Sequence, residues 1–323
     1  MGDPVVRPED QSGRGREART PAGIPRSGWR DILWRTKSEL SRDNASLIAA
    51  GVAFYGLLAA FPAIAAVIAV FGLVADPASA TEFFANAPAL PQEARTIIAE
   101  QARHVAETPS SALGLGLAGA VLLAVYGASK AVNALIMALN VAYEEEEKRG
   151  FLRLTLLSLG LTAGMILFVV FALLLIVAVP ALVALLPLPT WLAWLARLLP
   201  WPILFFAGMN ALALLYRFGP SRRPATWAWV RPGALVATVL WLVGSAGFSI
   251  YVASFGSYNE TYGSVGAIVV LLMWMWVSAY VVVLGAELNA EIEQQTKRDS
   301  TVGPERALGE RGAYVADTVA QTP

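Results

Sequence analysis

Six long apolar stretches dominate this chain, running approximately from Ala45 to Val74, Ala112 to Tyr143, Leu154 to Leu185, Leu192 to Tyr216, Pro232 to Ala253 and Gly263 to Leu288. About 20 such residues suffice for a helix to cross roughly 30 Å of hydrocarbon. In lipid, backbone N–H and C=O groups must find partners within the segment, which selects helices over open strands. The expected fold is therefore all-α: a polytopic membrane protein of six transmembrane helices, with an extracytoplasmic helical segment between the first two. A 56% hydrophobic composition with only 15% charged residues agrees with it. Several stretches exceed the minimum, so tilt or kinks are expected, with Pro62 and Pro180 as kink positions. The segment LAWLARLL before Pro200 reads as an interfacial turn preceding the true fourth span.

Charge sets the expected topology. The first 44 residues carry nine Lys or Arg, the loops EEEEKRGFLR and RFGPSRRPATWAWVR carry three and four, and the polar C-terminal segment carries four. The opposite side has only Arg95, Arg103 and Arg197. Basic residues are retained in the cytoplasm, so both termini are expected there. Residues 1–27 read as a disordered cytoplasmic arm without the apolar h-region of a cleavable signal peptide. Residues 28–44 read as an interfacial amphipathic helix, since Trp29, Ile32, Leu33 and Leu40 recur among charges at near-helical spacing. The membrane domain then covers 45–294, with a helical cap over 75–110 on the outer side. The polar tail 295–323 is expected to be flexible.

Cysteine is absent and His104 is the one histidine, which removes disulfides, thiol nucleophiles and Cys/His zinc sites from consideration. No catalytic residue, metal site or cofactor is expected, and the chain is not expected to be an enzyme. GLGLAGA in the second span offers small residues for close helix approach rather than a nucleotide loop, because neither a preceding strand nor a suitably spaced lysine accompanies it. The EEEE run at 144–147 is adjacent and reads as a solvated loop. The triplet NET at 259–261 reads as part of a polar outer hairpin. Neither half of the chain repeats the other, so the internal symmetry common among secondary transporters is not visible.

The unusual residue is Lys130. Within the second span, Tyr126, Lys130, Asn133, Asn140 and Glu144 fall on roughly one helical face, since steps of three, four and seven return to the same side. Counted from Ala112, Lys130 lies about 27 Å along the axis, and Glu287 lies about 36 Å along the sixth helix, so opposite charges are expected at comparable depth. One reading is packing: Lys130 snorkels to headgroups or pairs with Glu287, while the asparagines bond between helices. The other is a vestibule in which Lys130 meets the anionic group of an amphiphile, Tyr126, Asn133 and Asn140 line the stripe, and Glu287 holds or releases the lysine.

The stretches AAGVAFYGLLAAFP, SKAVNALIMALNVAY and RPGALVATVLWLVGSAGFSIYVASFGSYNETYGSVGAIVVLLMWMWVSAYVVVLGAELNAEIE together sample the region from Asn44 to Glu293. In them the chain resembles the YihY/virulence factor BrkB family of bacterial inner-membrane proteins. The resemblance implies a six-span protein of the bacterial inner membrane. The family was once labelled ribonuclease BN, and members have been linked to serum resistance and to export of lipopolysaccharide precursors. A metal nuclease needs clustered carboxylates or histidines, and an RNA site needs a basic groove with stacking aromatics. Neither is evident, so no nucleic-acid partner is expected. The expected partners are membrane lipids and a lipid or amphiphilic anion substrate for envelope biogenesis, with a homo-oligomer left open. The alternative is a structural or assembly protein without transport activity.

Overall fold

The computed structural model describes residues 13–74, 110–186, 189–254 and 264–321. The expected cap over 75–110, with His104, and the hairpin around residues 259–261 lie outside those residues, as does the beginning of the N-terminal arm. Among the described residues the elements are helices: α1 (Arg26–Arg42), α2 (Ala45–Val74), α3 (Ser110–Ala142), α4 (Phe151–Leu185), α5 (Thr190–Leu198), α6 (Pro200–Phe218), α7 (Trp227–Ser254), α8 (Ser264–Gln294) and the single turn α9 (Tyr314–Asp317). A lone antiparallel bridge joins Ala225 to Thr301. Five segments are long and apolar enough to cross a membrane, and a sixth joins them if α1 and the start of α2 form one bent span. The fold is thus the expected all-α, multi-pass membrane architecture.

Three local features follow from sequence. First, α1 and α2 meet at 62°. Between them Asn44 takes a positive φ of 53°, a conformation that asparagine tolerates better than most residues. Its carbonyl accepts from Leu47 and Ile48 and so starts α2. Second, α5 is a separate short helix before Pro200 and α6 begins at that proline, which suits a first helical turn because it needs no N–H there. Third, Pro180 and Pro232 lie inside α4 and α7, where each removes one rung of the helical hydrogen-bond ladder.

The chain divides into two compact units. One comprises Met1–Ala49, Leu135–Gly244 and Ser278–Pro323; the other comprises Ala50–Ala134 and Ser245–Val277. In the first, Ala45, Ala138 and Val283 form a buried nucleus, flanked by Leu40, Ile48 and Tyr280. Its tightest contact is a glycine crossing: a Cβ on Gly233 would sit 2.0 Å from the Gly285 carbonyl oxygen, and one on Gly285 would sit 2.3 Å from the Tyr216 hydroxyl. Small residues let helix backbones approach this closely. In the second unit, a Cβ on Gly127 would lie 2.9 Å from the Ala59 backbone, a similar crossing of α2 and α3.

The chain ends differ from expectation. The polar segments 13–25 and 295–321 are not loose but laced together. Lys297 donates its N–H to the Arg16 carbonyl at 2.8 Å, Thr296 Oγ1 donates to Ala18 O at 2.7 Å, and Ala320 N–H donates to Gln294 O at 3.0 Å. Arg16 is buried and donates to carbonyls of Gln294, Gln295 and Ala320. Arg311, also buried, donates to those of Lys297, Arg298 and Ala316. Asp317 closes the loop by accepting from the N–H groups of Gly309, Arg311 and Gly312. A polar segment lacks the apolar area that usually offsets chain ordering. Here buried arginines that saturate backbone carbonyls supply the order instead.

α1 has two faces. Gly28, Asp31, Ile32 and Thr36 are buried, and Arg14 pairs with Asp31 at 2.8 Å. Leu33 and Trp34 are exposed, which leaves an apolar surface beside a charged one, as a helix lying along a membrane requires.

Candidate functional site

In the second unit, α3 presents Tyr126, Lys130 and Asn133. Residues 126 and 130 are one helical turn apart, and the Lys130 Nζ lies 5.3 Å from the centroid of the Tyr126 ring. That is a cation–π distance. Both side chains are exposed at the protein surface. Lys130 has no ion pair with any carboxylate among the described residues. It lies 12 residues before the Ala142 end of α3, about 18 Å along the axis. Asn133, three residues on, has an enclosed Oδ1 without a hydrogen-bond donor. This stretch therefore offers a cation, an aromatic face and an amide oxygen, none engaged by a protein ion pair.

Asn140 and Glu287 belong to the first unit and are differently occupied. Asn140 is buried; its Oδ1 accepts the Ser221 N–H at 2.7 Å and its Nδ2 donates to Glu147 at 3.0 Å. It ties the turn after α3 to the segment after α6. Glu147 in turn accepts from the Arg149 guanidinium at 2.7 Å. The Arg149 side chain, with help from its N–H and from Asn140, holds the Glu147 carboxyl down to about 2 against the opposing effect of burial.

Glu287 is 2% exposed, and its Oε1 has no hydrogen-bond partner. It shares a side-chain hydrogen bond with Asp43, and Glu291 and Glu39 also act on it electrostatically. The nearby cations serve other carboxylates: Arg35 binds Glu291, and Arg42 binds Glu39. Among the described residues no group of three or more His, Cys, Asp or Glu side chains is disposed to hold a metal ion.

Next to this acidic patch is a network of different character. Arg222 pairs with Glu293 at 2.7 Å, with side chains 2% and 0% exposed. Ser300 Oγ donates to the same carboxylate oxygen at 2.6 Å, and the guanidinium carbon lies 4.7 Å from the Tyr143 ring centroid. Burial, the largest influence, pulls the Arg222 pKa down, but Glu293, Tyr143 and Glu145 together outweigh it and raise it. Asn289 completes the arrangement by accepting the Gly233 N–H at 2.7 Å and donating to the Val230 carbonyl at 3.0 Å. Those groups flank Pro232, whose missing N–H disturbs the ladder of α7 at that point.

The family profile described as Virulence factor BrkB matches residues 36–309 of this sequence. The chain is a member of the virulence factor BrkB family. A ribonuclease-like protein, YfkH, of Bacillus subtilis is 32% identical over 183 residues, which is 55% of this chain and 66% of the relative. The UPF0761 membrane protein PSHAa0171 of Pseudoalteromonas translucida is 38% identical over 117 residues, 36% of each chain. A UPF0761 membrane protein of Aeromonas salmonicida is 43% identical over 65 residues, 20% of this chain and 22% of the relative. The matched regions thus cover less than two thirds of these relatives' own lengths. No solved structure matches the chain.

The BrkB profile spans both groups of residues, from Arg35's neighbour Thr36 through Lys130 and Glu287 to Gly309. Of the five residues singled out from sequence, Tyr126 and Lys130 come together, Asn133 follows them on α3, and Asn140 and Glu287 take up separate contacts in the first unit. Sequence reasoning missed the Arg222–Glu293 pair. Arg222 had counted only as a loop charge, and the available hint was a second charged residue, Glu293, one half-turn beyond Glu291 at the end of an apolar helix.

Proposed function

We propose that this BrkB family member binds and moves an amphiphilic anion, a lipid intermediate of envelope biogenesis, in the bacterial inner membrane, with both termini in the cytoplasm. The observation that carries the reading is Lys130. A lysine at the centre of an apolar span costs roughly 2.5 to 3.5 kcal/mol on insertion scales, and less toward its end. Here no protein carboxylate among the described residues offsets that cost. A phosphate or carboxylate headgroup would, and the Tyr126 ring beside it provides an apolar wall for the adjoining part of an amphiphile. The basic loops and chain ends support the orientation.

A structural role is the second reading, favoured by Asn140, both of whose amide groups are used to join two connecting segments. The two readings diverge on Lys130→Ala. Lipids retained by the purified full chain in mild detergent are extracted and identified for wild type and variant. The transport reading expects a defined anionic amphiphile with wild type that is lost from a still folded variant. Identical lipid content, with only a lowered thermal stability in Lys130→Ala, would support the structural role and remove Lys130 as an anion contact.

A further inference from the structure

Far from Lys130 in sequence, Arg217 occupies an unusual place. It is the penultimate residue of α6, and its guanidinium carbon lies 4.4 Å from the Trp227 ring centroid and 5.5 Å from that of Phe218. It makes no ion pair or hydrogen bond to a described side chain or carbonyl, and its Nε is enclosed without an acceptor. One membrane-crossing segment ends at Phe218 and the next begins at Trp227. The short connection between them places both ends at the same boundary, where tryptophan prefers to sit and where lipid phosphates are found.

The connection between the two helices carries charge of one sign, while the neighbouring Glu147 is already paired with Arg149, which also donates to the Phe218 and Gly219 carbonyls. The stretch RFGPSRRPATWAWVR, residues 217–231, contains no acidic residue. Arg222 is taken by Glu293 and Arg223 reaches the Pro304 carbonyl, but Arg231 is exposed and has no such partner. Arg231 follows Trp227 by one turn of α7 and so lies on the same face. The surrounding Phe218, Trp227 and Leu214 are exposed apolar groups. An arginine over an aromatic ring can still offer its terminal N–H groups, and that fork matches a phosphate's oxygens in pairs.

We infer that Arg217, seated on Trp227 and supported by Arg231, is a binding site for the phosphate of an anionic phospholipid at the membrane boundary. Arg217 and Arg231, neither ion-paired with a described residue, favour a lipid of net negative charge over a zwitterionic one, and the aromatic groups receive the beginning of its acyl chains. This site is separate from Lys130 and does not depend on the role proposed for it.

The test is native mass spectrometry of the full chain titrated in mild detergent with phosphatidylglycerol, phosphatidylcholine or inorganic phosphate. Wild type is expected to retain phosphatidylglycerol at least fivefold better than phosphatidylcholine, with inorganic phosphate failing to displace it. Arg217→Gln should lose that preference, Arg217→Lys should keep the fold and part of the retention, and Lys130→Ala should leave it intact. Equal retention of phosphatidylglycerol by wild type, Arg217→Gln and Arg217→Lys would overturn the assignment. So would equal retention of the two lipids by wild type. Displacement by inorganic phosphate would reassign the site to a soluble anion. If Arg217→Gln fails to fold, the comparison of wild type with Arg217→Lys and Arg231→Gln decides: unchanged retention in both refutes the site.

Discussion

Replacing Arg222 by methionine tests the largest electrostatic commitment in the first unit. The Arg222–Glu293 contact is 2.7 Å long between side chains 2% and 0% exposed, so little water remains to screen either charge. Removing the cation leaves a buried carboxylate whose remaining hydrogen bond comes from Ser300, and breaking a buried pair this way costs about 3 to 5 kcal/mol. Loss of the guanidinium over Tyr143 adds roughly 0.5 to 2 kcal/mol. Arg222→Met is therefore expected to lower the unfolding free energy by about 5 kcal/mol. The double variant Arg222→Met/Glu293→Leu exchanges both charges for apolar groups of similar size and should recover most of that loss. The assay is unfolding of the full chain in mixed micelles of increasing denaturing-detergent fraction, followed by tryptophan fluorescence. A coupling energy of at least about 2 kcal/mol across the double-mutant cycle is expected. Single losses that simply add, to within about 0.5 kcal/mol, would show that the two groups do not form a pair in the folded protein.

Three further outcomes follow from the same geometry. Gly233→Ala would push a methyl group to 2.0 Å from the Gly285 carbonyl oxygen and 2.6 Å from the Asn289 side chain; a loss at or above the usual overpacking range of about 1 to 3 kcal/mol is expected in the same unfolding assay, and a neutral substitution would mean that α7 and α8 do not cross there. Glu147, held down to about 2 from an ordinary 4.5, contributes stability that is fully present above pH 4.5 and fades as pH falls toward 2. Because its side chain is partly exposed and screened by solvent, that contribution is under about 1 kcal/mol. Thermal melts of Glu147→Gln should therefore show a shallower loss between pH 4.5 and 2 than wild type, and parallel curves would refute the depressed pKa. Glu287→Gln keeps the shape of a buried side chain that faces Asp43 and has an unpartnered oxygen; its melting temperature is expected to match or exceed that of wild type, whereas a marked fall would reveal a cation partner for Glu287.

The membrane architecture was legible because it depends on a strong, local signal: apolar runs of sufficient length leave helices as the answer, and the boundaries of α2 coincide with the expected first span. Lys130 was legible for the same reason, as a charge within such a run. The partner of a side chain is a different matter. Asn140 and Asn133 share a helical stripe, yet one is locked between Ser221 and Glu147 while the other keeps an unsatisfied oxygen. Those partners are tens of residues away or beyond a turn, and helical periodicity carries no information about them. The hydrogen-bonded arrangement of segments 13–25 and 295–321 was not legible, because a polar composition reads as lack of structure. Their order comes from Arg16, which donates to three backbone carbonyls, and Arg311, which donates to four, and composition cannot distinguish such arginines from solvated ones.

The central claim, that Lys130 receives the headgroup of an anionic amphiphile which the protein moves, is tested most directly in liposomes. Purified wild type, Lys130→Ala and Lys130→Arg are reconstituted with a fluorescent phosphatidylglycerol, and its exchange between leaflets is followed by chemical quenching of the outer one. Fluorescent phosphatidylcholine serves as the zwitterionic control. The account predicts faster exchange of the anionic probe with wild type, a rate near that of protein-free liposomes with Lys130→Ala, and partial rescue by Lys130→Arg. Exchange that is equally fast with folded Lys130→Ala, or absent with wild type while Lys130→Ala loses only stability, would contradict it.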